Sequence, residues 1–155
     1  MNRDQRREVS LEEQATRGDE FSVPATASLP ERRPRTLKHG DAFGVFDHLG
    51  DAMPGPGSPE GLFYRDTRHL SRLNLTLNGE RPILLSSNVR GDNATLVCDL
   101  TNPDLHDDNG AVILQHDLIH LRRSRFLWRG ASYERLLVRN YDVQPQRIVL
   151  EAHFA

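Results

Sequence analysis

Period-two alternation is the feature that most constrains this chain. In "GLFYRDTRHLSRLNLTLNG", residues 61 to 79, Leu73, Leu75 and Leu77 fall on one side of an extended backbone, with Arg72, Asn74 and Thr76 on the other. Successive side chains of a strand point to opposite faces, so this stretch buries its leucines together only as a half-covered strand. The pattern returns in "NATLVCDLTN" (93 to 102), where Leu96, Cys98 and Leu100 are in phase. It returns again in "QRIVLEAHFA", where Ile148, Leu150, Ala152 and Phe154 are in phase. "DAFGVFD" (41 to 47) and "SYERLLVRNY" (132 to 141) read as strands as well, and "AVILQHDLIHLRRSRFLW" (111 to 128) as one long or bent strand, or two.

Turn chemistry punctuates these runs. "HLGD" and "NPDLHDDNG" are turn clusters, "AMPGPGSPEG" is a Pro/Gly loop, and Arg129-Gly130 is a tight turn. Asn78-Gly79 is the strongest hairpin signal, because both central positions of a type I′ turn need positive φ. It predicts that "RPILLSSNV" (81 to 89) returns antiparallel to residues 73–77. Seven or eight strands with hardly any helix indicate an all-β fold, an antiparallel β-sandwich over residues 36–155. Alternation is still running at Ala155, which predicts a sandwich incomplete at its C-terminus, with strands and further domains beyond. Residues 1–35, rich in Arg, Glu, Ser and Pro, bury too little apolar surface to offset the entropy of ordering. They are expected to form a disordered tail, with at most a short helix near residues 9–16.

Composition narrows the partners. A formal net charge of −2 gives no electrostatic reason to expect nucleic acid or an anionic membrane. No apolar run approaches the roughly 18 to 20 residues of a membrane span, and the N-terminus lacks the apolar core of a secretory signal. The lone Cys98 excludes an intrachain disulfide and fits a reducing compartment, so a cytoplasmic location is expected.

Most chemical constellations reduce to structure. His116 and His120 would share one strand face, but no third ligand stands at zinc spacing, so no metal is expected. Asp104, Asp107, Asp108 and Asn109 are oxygen ligands that calcium could use, yet they depart from the EF-hand pattern and match what a turn requires. Cys98 sits in the apolar phase of its strand, and Ser86 and Ser87 lack a glycine elbow. Arg122, Arg123 and Arg125 are expected on a solvated strand face, with Phe126 and Trp128 on the other phase. The exception is Arg65-Asp66-Thr67-Arg68-His69. These polar residues follow a long loop and precede a strand, where binding residues concentrate. Arg65 and Arg68 can donate to hydroxyls or a carboxylate, and Asp66 can accept from hydroxyls or orient either arginine. An internal Arg–Asp pair that fixes the loop explains the same residues equally well.

Four stretches in order, "LKHGDAFGVFDHLGD", "PEGLFYRDTRHLSRLNLTLNGERPILLSS", "DNATLVCDLTNPDL" and "RRSRFLWRGASYERLLVRNY", resemble the N-terminal domain of bacterial glycogen debranching enzymes of the amylo-alpha-1,6-glucosidase type. The likeness covers residues 36 to 155. It implies a β-sandwich that precedes an (α/α)6-barrel glycosidase domain, with an α-glucan as substrate and no cofactor. Enzymes of this class use two carboxylates, an acid and a base, which the resemblance puts in the barrel, so no catalytic residue is expected in this chain. By analogy with related sandwich-plus-barrel enzymes, a sandwich loop reaches over the barrel's active site. The substrate-binding candidates are then Arg65, Asp66, Arg68 and His69. A stand-alone carbohydrate-binding module is the rival reading, and it calls for exposed aromatics, whereas most aromatics here fall on apparent core phases. A purely structural sandwich is the third.

Overall fold

Alternating stretches become strands where a neighbouring sheet covers one face. The computed structural model describes residues 33–155; the expected short helix and residues 1–32 of the expected tail lie outside the described residues, and Arg35, the last residue assigned to that tail, already belongs to β1. Twelve strands follow: β1 (Arg35–His39), β2 (Ala42–Phe46), β3 (Gly61–Tyr64), β4 (Thr67–Leu70), β5 (Leu73–Leu77) and β6 (Ile83–Val89), then β7 (Thr95–Thr101), β8 (Leu105–His106), β9 (Val112–Leu114), β10 (Ile119–Trp128), β11 (Ala131–Asn140) and β12 (Leu150–Phe154). All pair antiparallel and no helix occurs among the described residues, so the chain is all-β. The strand count exceeds the expected seven or eight because polar hairpins such as β3–β4 carry no run of alternating apolar residues.

Two four-stranded sheets, in the orders β1-β2-β3-β4 and β11-β10-β7-β6, are accompanied by two separate pairs, β12-β5 and β8-β9. The main core lies between them. Leu37 of β1, Phe46 of β2 and Leu75 of β5 pack toward Leu96 and Leu100 of β7 and Leu121 and Leu127 of β10. Truncating any of these leucines to alanine costs about 2–5 kcal/mol, through lost transfer energy and the cavity left behind. A smaller cluster of Leu77, Leu105, Leu114 and Ile119 closes one end.

The Asn78-Gly79 turn forms, with φ of 50° and 83°. The hairpin expected beyond it does not. Only a Leu77–Glu80 bridge closes the turn, after which β6 leaves to pair with β7 and β5 takes β12 as its partner, Leu77 opposite Leu150. A turn dictates that the chain reverses, not which strand lies alongside. Asn78 itself recruits β12, since its Oδ1 accepts from the Val149 N–H and its N–H donates to the Val149 carbonyl.

The stretch 111–128 is two strands, β9 and β10, parted at Asp117 (φ 64°). Buried Asn102 organises this break: its Nδ2 donates to the Gln115 carbonyl, and its Oδ1 accepts from Leu118 and Ile119. His116 therefore lies in the connection and not on a strand face with His120. It hydrogen-bonds Asp104, while Asp107 accepts from the Asn109 and Ala111 amides, so the acidic cluster serves its own turn.

The arginine run reverses its expected phase. Arg123 and Arg125 face the core, 3% and 2% exposed, and Arg122, Phe126 and Trp128 point outward. Alternation through Leu121 and Leu127 sets this phase, because those leucines are buried on the same side.

Candidate functional site

Arg65 and Asp66 occupy the two central positions of the β3–β4 turn, Tyr64 standing opposite Thr67, with φ of 47° and 61°. Positive φ at both positions gives the turn the twist of its flanking strands, but it holds an arginine in a conformation that side chains with a Cβ adopt at a cost. Arg65 Nε stands 3.7 Å from Asp41 Oδ2, both side chains mostly exposed, and its guanidinium lies 5.3 Å from the Tyr64 ring centre. Arg68 Nη2 donates to the Ser58 carbonyl at 2.7 Å and stacks 5.1 Å over Phe63. Asp66 pairs with neither arginine. No clamp forms between Asp66 and either arginine; Arg65 meets Asp41 instead, and the Asp66 carboxylate stands at the corner of the hairpin. The fourth candidate, His69, lines a cleft of about 290 Å³ between this hairpin and the β10–β11 turn. Its walls are mainly apolar, with the stacked Phe43 and Phe63 rings and Tyr64 on one side and Leu127 and Gly130 on the other. The structure thus brings the four candidates to one hairpin without joining them in one hydrogen-bonded constellation.

The tightest polar assembly is elsewhere and was not anticipated from sequence. Arg123 donates from Nε to Glu134 Oε1 and from Nη1 to Asp51 Oδ1, each at 2.6 Å, and also to the Leu49 carbonyl. Arg125 donates to Glu134 Oε2 and to the Gly50 carbonyl, both at 2.6 Å, and lies 4.2 Å over the Phe46 ring. Arg81 reaches Asp51 Oδ2 and Asp47 Oδ2 from the outside. Burial alone would raise the Glu134 carboxyl, but the two arginines outweigh it and hold the group below its ordinary value. These groups clamp the Asp47–Ala52 turn onto the sheet. Because Asp51 and Glu134 are 83 residues apart, no local spacing announces them. Cys98 lies beside this assembly, and burial pushes its thiol up, as suits an inert core residue.

The outer face of the β10–β11 pair carries a second exposed surface. Phe126 stacks on Tyr133 at 5.1 Å, and Trp128 is 48% exposed beside His39. Next to the stack, Arg122, Ser124, Arg135 and Leu137 enclose a cleft of about 260 Å³. Asp99 is held below its ordinary value chiefly by the Arg122 hydrogen bond and also accepts from His120 and Ser86. Aromatics that were expected on core phases are therefore largely on the surface, since the core phase of β10 belongs to Leu121, Arg123, Arg125 and Leu127.

Among the described residues, no group of three or more His, Cys, Asp or Glu side chains could hold a metal ion. No helix is long and apolar enough to cross a membrane. What these features define is an all-β domain with a projecting polar hairpin, a clamped core and broad exposed apolar faces. Residues 37–155 match the family of the N-terminal domain of (some) glycogen debranching enzymes, and the chain belongs to that family. No curated protein and no solved structure matches the chain.

Proposed function

We propose that this domain is the non-catalytic N-terminal part of a debranching-type α-1,6-glucosidase of the cytoplasm, docking on an (α/α)6-barrel catalytic domain and shaping its α-glucan site. Family membership supports the substrate class, and one observation carries the docking role. The core-side face of β11 is uncovered: Leu136 and Val138, opposite Arg123 and Leu121, are 41% and 43% exposed, and Phe154 on β12 is 69% exposed. Apolar side chains that point inward yet meet solvent are the chemistry of a surface another domain covers. The β3–β4 hairpin then supplies a polar corner, with Asp66 free to accept from sugar hydroxyls and Arg65, Arg68 and His69 beside it. Asp66→Asn keeps a residue that tolerates positive φ while removing the charge. In the two-domain enzyme it should lower turnover on branched glucan several-fold with an unchanged melting temperature. Full turnover in Asp66→Asn and in Arg68→Ala would overturn the substrate-shaping role.

A further inference from the structure

Strand register places two kinds of side chain on the outer face of β10 and β11. Directly opposite pairs are Phe126 with Tyr133, Ser124 with Arg135, and Arg122 with Leu137. Successive rungs on one face are about 7 Å apart, so an aromatic floor adjoins a donor-lined cleft within the span of two sugar rings. Arg122 spends Nε and Nη2 on Asp99 and keeps Nη1, while Arg135 has no carboxylate partner among the described residues. Sugar rings offer apolar C–H faces to aromatic rings and hydroxyls to guanidinium and hydroxyl groups.

We propose that this face binds an α-glucan chain, with the Phe126–Tyr133 stack under one glucose ring and Arg135, Ser124 and Arg122 hydrogen-bonding the hydroxyls of its neighbour. The α-glucan class rests on the function proposed above; the site itself is separate from the Arg65–His69 hairpin. A neutral polyol fits better than a second copy of the chain, because two such faces brought together would oppose Arg135 and Arg139 with arginines and no free carboxylate. It fits better than nucleic acid as well, since few unpaired cations lie here and the chain carries a net charge of −2.

Trp128 is the only tryptophan and lies on this face, so its emission reports occupancy. Titrating the 155-residue chain with maltoheptaose should give a saturable change in emission. Tyr133→Ala and Arg135→Ala should each weaken binding by about tenfold without changing the melting temperature. Asp108→Asn, in the β8–β9 turn, should bind as the parent chain does, and a failure here is distinct from a failure of the docking role, which is read by turnover. Absence of saturation overturns the proposal, as does undiminished binding in both variants or equal binding of cellohexaose. A response to inorganic phosphate but not to maltoheptaose would make this an anion site instead. A dimer in solution that Tyr133→Ala dissolves would assign the face to self-association and overturn it too.

Discussion

At Arg65 and Asp66, two charged residues sit at the corner of a hairpin in open solvent; at Arg123 and Arg125, two more lie beneath a sheet with their carboxylates 2.6 Å away. The first group is conspicuous in sequence, five polar residues in a row, and makes few contacts. The second is split by a serine within an unremarkable strand and holds distant segments together. Crowding of charge along the chain does not by itself report where solvent is: at 65–69 the crowded groups are exposed, whereas in "RRSR" Arg122 is exposed and Arg123 and Arg125 are buried. Charges that matter to the core are brought in singly, at alternate positions, and find partners far along the chain. Desolvating such an ion costs several kcal/mol, so each must be matched by carboxylates and carbonyls, as both are here.

The sharpest way to break this contrast is Arg123→Met. It leaves Asp51 with one arginine and Glu134 with one, in a site where Arg123 itself is 3% exposed. Urea denaturation should show a loss of about 3–5 kcal/mol. A loss below about 1 kcal/mol would mean that the network adds nothing beyond packing.

A pH series gives the next largest effect. Glu134 titrates below its ordinary value in the folded chain, so the unfolded chain binds its proton first as acid is added. Its contribution is complete above the unfolded value of 4.5 and is lost as pH falls through the lower folded value. The midpoint of thermal unfolding should therefore fall steeply below about pH 4.5, and Glu134→Gln, though less stable at neutral pH, should flatten that fall. An unchanged slope in the variant would assign the acid sensitivity to other carboxylates, Asp99 first.

The smallest effect belongs to the hairpin. Arg65→Ala removes a 3.7 Å contact between exposed groups and should move the melting temperature by no more than roughly 2 °C. A larger drop would place Arg65 with the buried arginines in kind and erase the contrast.

Much of the local architecture was legible beforehand, for reasons the residues make plain. Leu96, Cys98 and Leu100 are buried because a period-two repeat has only one way to hide its apolar members. Asn78-Gly79 and Arg129-Gly130 turn because glycine at the second position accepts positive φ without a Cβ clash. The phase of β10 was misread because three arginines outweighed two leucines, although Leu121 and Leu127 share the phase of Arg123 and Arg125. The four candidates at Arg65–His69 read in sequence as a polar loop ahead of a strand, whereas Arg65 and Asp66 are the turn of the β3–β4 hairpin and Arg68 and His69 lie on β4, and nothing in their spacing tells that Asp66 pairs with neither arginine.

The amino-acid sequence by itself determined that this chain is built of antiparallel strands, where most of them reverse, and the family to which it belongs. Those properties follow from side-chain period and turn stereochemistry, which act over a few residues, and from motifs read in order. Only the tertiary structure decided that β5 pairs with β12 in place of β6, that Arg123 and Arg125 meet Asp51 and Glu134 inside, and that Phe126, Trp128 and Tyr133 face solvent. Pairing between strands is a competition among edges far apart in the chain, settled by which combination buries the leucines while leaving no buried charge alone.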